Sequence, residues 1–285
     1  MTCISCAGAA LDRGGMTLTR RESSPIPVEA DSICPDRFIG LNEADIARLP
    51  AFYGRRQVTL GDLFEIEGVG ATDITVTGDL AAVKKIGHGM TMGRVTVEGP
   101  VGQHTGARMT GGELVVRGDA GDWLGAYMAG GRIVVEGNAG HFVGGAYSGD
   151  TKGMRGGTIL VKGDVGREAG GRMRRGLIIV LGDTGEFTAA RMLAGTVFVR
   201  GRLGARAGAG MKRGTVVAFG EVAELLPTFR YTCTYRPVFM RCYLRRLRET
   251  GLVAEGELEG ELFRRSIGDL TNGGRGEVLV RAERE

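Results

Sequence analysis

The chain has 285 residues and 51 of them are Gly, about 18% against a usual ~7%. That excess excludes an ordinary helical protein, because each Gly inside a helix costs roughly 1 kcal/mol relative to Ala. With only 7 Pro and no strict Gly-X-Y period, collagen is excluded too. The 42% hydrophobic content argues against disorder, and a net charge of +4 is too small to imply nucleic acid as a partner.

The chain opens with a C-x-x-C, Cys3 and Cys6, that has no second pair and no nearby His; it reads as an inert terminus rather than a metal site. The other cysteines, Cys34, Cys233 and Cys242, are far apart. No disulfide framework follows, and a reducing, cytoplasmic setting is expected. The first 25 residues lack the apolar core of a signal peptide, and no run of 18 apolar residues suggests a membrane span. Residues 16–19 read as a strand; a Pro-rich turn and a short acidic helix over 42–49 follow. Residues 1–77 are therefore expected to form an N-terminal cap region.

A repeat begins at Gly78. Its first glycines, Gly78, Gly99, Gly118, Gly137, Gly163, Gly182, Gly201 and Gly220, are spaced 21, 19, 19, 26, 19, 19 and 19 residues apart. The unit reads G-x-x-G-x-x-x-G-x-x-M-x-G-G followed by an aliphatic run such as Ile133-Val134-Val135 or Ile178-Ile179-Val180. Four β-preferring residues bounded by glycines are a strand signal. Nineteen residues are too few for an independent hairpin with a core but suit one coil of a stack, each strand pairing in parallel with its copy in the next coil. The expected fold is all-β: a right-handed parallel β-helix of about seven coils over 78–220, with short α-helical caps. Two glycine columns, Gly102 to Gly204 and Gly112 to Gly214, are expected at corners that need positive φ. The Met column, Met90, Met109, Met128, Met154, Met173, Met192 and Met211, reads as flexible filling of a narrow core, with Met90 offset by two in the first coil. Residues 221–285 supply the second cap. Within them 237–250 reads as a helix, with Val238, Cys242, Leu244 and Leu247 laid across the last coil and Arg241, Arg245, Arg246 and Arg248 facing outward.

Catalytic material is scarce. His88, His104 and His141 occupy different repeat positions and make a poor metal trio, and no G-x-S-x-G, H-E-x-x-H or P-loop occurs. The Asp column, Asp79, Asp119, Asp164 and Asp183, is expected to cap its own turns. No catalytic residue and no metal ligand is therefore assigned. One electrostatic feature exceeds background. Residues 150–213 hold 13 Lys and Arg against 5 Asp and Glu, a net +8 in a chain whose total is +4. Arg172 and Arg191 fall at one repeat position in adjacent coils, with Arg174 and Arg175 beside them and Arg206 and Arg213 nearby. Stacked like charges repel unless something anionic offsets them. The strip reads as a surface for an acidic partner, or for an acidic ligand, or as a solvated basic face. The seven extra residues near 148–154 are expected to protrude and meet a partner subunit.

The repeat, with Pro27-Val28-Glu29-Ala30-Asp31, Pro35-Asp36-Arg37-Phe38 and Leu60-Gly61-Asp62-Leu63-Phe64-Glu65-Ile66-Glu67-Gly68 before it and Gly268-Asp269-Leu270 and Gly273-Gly274-Arg275-Gly276-Glu277 after it, resembles the C subunit of formylmethanofuran dehydrogenase. The repeat alone also resembles the C-terminal domain of the glutamate synthase large subunit. The first resemblance implies a non-catalytic, β-helical scaffold subunit of an enzyme complex. One branch of the family is a redox enzyme with a tungsten or molybdenum pterin and iron–sulfur clusters. The other, the bacterial formyltransferase/hydrolase complex, serves tetrahydromethanopterin-linked formaldehyde oxidation. The implied partners are amidohydrolase-like and formyltransferase subunits; the implied cofactor is of the methanofuran type, at the level of the complex and not bound by this subunit. The second resemblance implies a module supporting amide or ammonia transfer. A free-standing polysaccharide-acting β-helix lacks both export signal and carboxylate-rich cleft here.

Overall fold

The aliphatic run that ends each repeat forms a strand of four to six residues. In the computed structural model, which describes residues 15–249 and 261–282, these strands are Asp73–Thr77, Arg94–Glu98, Glu113–Val116, Arg132–Val135, Thr158–Val161, Leu177–Val180, Thr196–Val199 and Arg213–Ala218. Each pairs in parallel with the next, so that Val95, Leu114, Ile133, Ile159, Ile178, Val197 and Val216 lie side by side in one row. Parallel pairing continues beyond the repeats, to Met16–Arg20 at one end and Arg275–Arg281 at the other. Antiparallel strands finish both edges: Phe64–Gly68 on the first side, Phe263–Gly268 and then Arg230–Tyr235 on the second. The chain is thus mostly β, built on a 13-stranded mixed sheet with a few short helices. A second ladder of single parallel bridges links Val101, Ala120, Ala139, Val165, Thr184, Leu203 and Val222 in turn. Successive repeats are therefore tied at two places in one register.

That register puts all seven methionines of the column in the interior, each with no exposed surface. They pack with the inward Val, Ile and Leu of the strands in one apolar cluster that runs the length of the stack. Met90 itself is in register with Met109, since the Met90 carbonyl accepts from the Thr110 N–H. The two extra residues of the first repeat lie before it. Ile74 pairs with Val95, 21 residues on, yet the Val83 carbonyl already accepts from Gly102, 19 residues on.

The two glycine columns differ in cause. Gly112, Gly131, Gly157, Gly176, Gly195 and Gly214 have φ between 72° and 118°, as expected of corners. Gly102, Gly121, Gly140, Gly166, Gly185 and Gly204 do not, which corrects the sequence reading. They are glycines because the neighbouring repeat is too close. A Cβ on Gly102 would stand 2.6 Å from the Val83 carbonyl oxygen, and one on Gly185 would stand 2.9 Å from the Arg167 nitrogen.

The flanks are woven into the stack. The helix Glu43–Ala47 is shorter than the expected 42–49; Asn42 caps it by accepting the Asp45 N–H at 3.0 Å. Phe38, Ile46, Leu60 and Phe64 close the first end of the core without exposed surface. The C-terminal helix Arg241–Glu249, entered through the 3-10 turn Val238–Met240, does not lie across the last coil as expected. It covers the outer face of the sheet, where Met240 and Leu247 cluster with Val134, Leu160, Leu177, Ile179, Phe198 and Val217. Its buried face is Met240, Tyr243 and Leu247, a helical spacing of three and four. Val238 and Cys242, placed on that face from the sequence, are exposed, and the side chain of Leu244 lies outside the described residues. Arg241 and Arg245 do face outward, Arg248 is half-buried instead, and the side chain of Arg246 lies outside the described residues. This cover explains why Thr158–Val161, Leu177–Val180 and Thr196–Val199 are buried at every position while Glu113–Val116 alternates.

The far end of the stack is closed by Phe229, whose ring packs on Gly208 and Gly268, and by Asp269. Asp269 accepts the Gly210 N–H at 3.0 Å, a donor that in earlier repeats bonds to the next repeat. Burial raises the Asp269 pKa, and its bonds from Thr271 and Gly210 outweigh this and hold it below the usual range.

Two expectations follow. Gly204→Ala drives a Cβ into the Gly185 backbone and should destabilise by about 2–3 kcal/mol in denaturant melts, whereas Gly149→Ala, with open space around it, should cost only the strain of its positive φ of 95°, about 1–2 kcal/mol. Asp269→Ala should cost about 1–3 kcal/mol at neutral pH. Because the folded pKa is depressed, this contribution is present above the unfolded value near ~4 and is lost as pH falls through the folded value. Wild type and Asp269→Ala should therefore converge in Tm on acidification.

Candidate functional site

Between its two ladders every repeat turns through a loop that uses left-handed residues at alternate positions. His104, Gly106 and Arg108 are one set; Glu168, Gly170 and Arg172, then Phe187, Ala189 and Arg191, repeat it with φ between 53° and 70°. Seven of these nine are not glycine, at about 1–3 kcal/mol each. The conformation is held by hydrogen bonds to the next repeat: Arg108, Arg172 and Arg191 donate their N–H to the carbonyls of Ala126, Ala190 and Ala209 at 2.7, 2.9 and 2.7 Å. Each of these three loops thereby displays two outer side chains, four residues apart, with Ala or Gly just before the second.

The first outer row reads His104, Trp123, Phe142, Glu168, Phe187, Arg206, and the second contains Arg108, Tyr127, Arg172 and Arg191. The structure thus brings Arg172 and Arg191 to equivalent positions of adjacent repeats, as the spacing predicted. Arg174 and Arg175 follow Met173 on the same loop, both exposed, both with N–H groups directed to the Met154 carbonyl. None of these four guanidinium groups has an ion pair or side-chain hydrogen bond among the described residues. The contrast with the other half of the sheet is sharp: Arg94 and Arg132 flank Glu113 at 2.6 and 3.8 Å, Arg117 meets Glu98 at 2.9 Å and Lys162 meets Glu136 at 3.0 Å. Arg206, counted in the same strip, is engaged with Glu186 at 3.5 Å and lies over the Phe187 ring. Arg213 is exposed on the strand Arg213–Ala218.

The loops of the first half carry a cluster that sequence reasoning missed. Trp123 stacks on His104 and Phe142 at 5.3 and 4.8 Å. Tyr147, brought by the longer repeat, stands edge-on to His104, Trp123 and Tyr127 at 5.2, 6.1 and 4.9 Å and covers Ala107 and Ala126. Tyr127 donates to Asp150 and accepts the Tyr147 N–H at 2.8 Å. The inserted segment is therefore anchored by Tyr147 and Asp150 and exposed over 148–152; Met154, assigned to it from the sequence, is core. Burial raises the Tyr147 pKa against the nearby Arg108, and burial first, then Lys85, lowers that of His104. The readable signal was the shared repeat position of His104, Trp123 and Phe142.

The remaining candidates are structural. Asp79 caps its own turn as expected, accepting the Ala81 N–H at 3.4 Å, whereas Asp119, Asp164 and Asp183, and Asn138 in the same column, do not. Each of these four side chains accepts the N–H of the residue at its own position in the next repeat, at 2.7–2.8 Å. Asp122 accepts likewise from His141, and His141 Nδ1 from Arg167 at 3.0 Å, which occupies that histidine. The three histidines do not converge, and no group of three His, Cys, Asp or Glu suited to a metal occurs among the described residues. Cys34 is buried, which pushes its thiol up to about 12; Cys3 and Cys6 lie outside the described residues. No described helix is long and apolar enough to cross a membrane.

Known proteins share this geometry, although no family model matches the chain. The C subunit of the tungsten-containing formylmethanofuran dehydrogenase 2 of Methanothermobacter marburgensis is 40% identical over 95 residues, 32% of this chain and 35% of that protein. The C subunit of the formyltransferase/hydrolase complex of Methylorubrum extorquens is 41% identical over 87 residues, 30% and 33% of the two chains. These matches span about a third of the curated relatives' length. A chain in the crystal structure of the formyltransferase/hydrolase complex of Methylorubrum extorquens with methylofuran superposes with a TM-score of 0.88 at 40% identity, over 94% of this chain and 100% of that one.

Removing the aromatic anchor should be measurable. Tyr147→Ala should cost about 1–2 kcal/mol and change the fluorescence of Trp123, the one tryptophan, without changing the β signal in circular dichroism. An unchanged Trp123 spectrum would show that the ring contacts are not formed in solution.

Proposed function

The chain belongs to the formylmethanofuran dehydrogenase C-subunit family, and from that membership we propose that it is the non-catalytic scaffold subunit of a formyltransferase/hydrolase complex. The carrying observation is the full-length superposition on a chain of that complex at 40% identity. In this reading the repeats wind as a right-handed parallel β-helix of about seven coils over 78–220, flanked by the cap regions 1–77 and 221–285. The two in-register ladders and the buried Met column support it. The partners are an amidohydrolase-like and a formyltransferase subunit, in the cytoplasm, in tetrahydromethanopterin-linked formaldehyde oxidation. The superposed crystal structure is of the complex with methylofuran, which supports a methanofuran-type cofactor at the level of the complex rather than on this subunit. The subunit's own part is to hold the others in place. Its conformation is over-determined by backbone bonds between repeats, which suits a rigid scaffold.

Within that role, Arg172, Arg174, Arg175 and Arg191 meet an anionic surface of a partner in preference to a carboxylate-bearing cofactor tail. Guanidinium groups pair bidentately with carboxylates, and these four are unengaged among the described residues. The exposed segment 148–152 meets a partner as well. Co-purification of the chain followed by native mass spectrometry should find amidohydrolase-like and formyltransferase chains; a glutaminase chain instead would overturn the assignment. The Arg172→Ala, Arg191→Ala double variant should fold normally and weaken assembly about tenfold or more at low salt, with a smaller difference from wild type at high salt, where the wild-type pairing is itself screened. Intact assembly with weakened cofactor affinity would move the strip to the cofactor tail.

A further inference from the structure

The place occupied by Tyr147 recurs further along the stack at Ala190, where no second ring enters among the described residues and 7% of the residue stays exposed against none of Ala107 and Ala126. At Gly171 the Glu168 side chain lies over the equivalent floor. Tyr147 lies on Ala107 and Ala126, between the first outer row, His104 and Trp123, and the second, Arg108 and Tyr127. The repeat returns the same backbone at Gly171, Ala190 and Ala209: Arg172 and Arg191 donate to Ala190 and Ala209 as Arg108 donates to Ala126. Phe187 stands where Trp123 stands in its repeat, with the same left-handed backbone, φ 62° against 57°. Among the described residues no ring reaches Phe187; its face meets only the Arg206 guanidinium, 5.4 Å from its centroid.

The two halves differ in charge. In the first half the wall opposite the tryptophan is Arg108 over Tyr127 at 5.2 Å, with the Tyr127 hydroxyl tied to Asp150. The internal occupant therefore brings both an aromatic ring and a carboxylate three residues later, Tyr147 and Asp150. In the second half that wall is Arg172 and Arg191, stacked like charges with no carboxylate on them among the described residues. A ring on Ala190 against Phe187 would bury apolar surface, and a neighbouring carboxylate would relieve the Arg172–Arg191 repulsion.

We infer that the slot formed by Phe187, Ala190, Arg172 and Arg191 receives an aromatic side chain with a nearby carboxylate, carried by a segment of a partner polypeptide. This rests on the reading that the chain is one component of a larger complex. It goes further in naming the seat and its occupant, an aromatic–acidic segment of the kind the chain supplies to itself through Tyr147 and Asp150.

The test separates the slot from the charges and from the complex. Ala190→Leu fills the floor, and Phe187→Ala removes the apolar wall; both leave every arginine in place. Each is co-expressed with the partner chains, checked for an unchanged β spectrum and melting cooperativity, and titrated for assembly. Weakening by about tenfold or more in both is expected. A photo-crosslinker at Phe187 in the assembled complex should mark a partner peptide containing Tyr, Phe or Trp within a few residues of Asp or Glu. If both variants fold and assemble as wild type, or the crosslink marks a second copy of this chain or a small polycarboxylate, the inference is overturned while the family assignment stands. If wild type assembles with no partner, both fall. Should Ala190→Leu fail to fold, Phe187→Ala and the crosslink decide.

Discussion

The structure depends on one constraint: backbone hydrogen bonds between repeats, held in a single register from the first repeat to the last. Once Ile133, Ile159, Ile178 and Val197 share a row, every other repeat position shares one as well. Apolar rows stack at no cost, and the methionine row fills a core too narrow for uniform branched side chains. Rows that pass close to the next backbone must be glycine, which is why Gly102 and Gly185 belong to a column without positive φ. Polar rows survive where each member serves the next, as Asp119, Asn138, Asp164 and Asp183 do by accepting a neighbour's N–H.

Charged rows are the severe case, because register sets like against like unless the sequence alternates. In the first half it does. The row Arg94, Glu113, Arg132 alternates in sign, and so does Glu98, Arg117, Glu136, Lys162. Exposed pairs of this kind each contribute little, about 0–1 kcal/mol, but their absence would leave repulsion repeated at every rung. At Arg172 and Arg191 the alternation is abandoned, and no carboxylate among the described residues replaces it. The same half of the stack is where the outer sheet face is taken up by Met240, Tyr243 and Leu247. One side of those repeats is fully used internally, while the loop side is left with unengaged cations.

Much of this was legible in the sequence. The 19-residue period, the aliphatic runs and the Met column specify the strands, their register and the inward row, because each follows from a residue type that has one favourable place in a stack. The position of the C-terminal helix was less legible. Val238 and Cys242 fit an apolar stripe as well as Met240, Tyr243 and Leu247 do, and only the sheet face decides between them. The close-approach glycines and the corner glycines look alike as letters, since room for a Cβ is a property of the neighbouring repeat. The aromatic cluster was hidden for a related reason: Tyr147 lies in an insertion, outside the period, and its partners His104, Trp123 and Phe142 share a position as rings of three different residue types.

An in-register stack has no natural end, and how it stops explains why its flanks abandon the period yet keep the sheet. Each last repeat leaves donors and acceptors that would recruit another chain. At the first end a parallel strand, Met16–Arg20, accepts the pairing and an antiparallel one, Phe64–Gly68, reverses it. At the other end Arg275–Arg281 takes the pairing, Phe263–Gly268 reverses it, Phe229 closes the core, and Asp269 takes the loop N–H of Gly210 that has no further repeat to meet. The parallel ladder and the apolar core therefore stop at both ends, with the antiparallel strands Phe64–Gly68 and Arg230–Tyr235 as the outer edges of the sheet. On the sides, the loops of the later repeats are the place where register has set Arg172 and Arg191 together without an ion pair among the described residues.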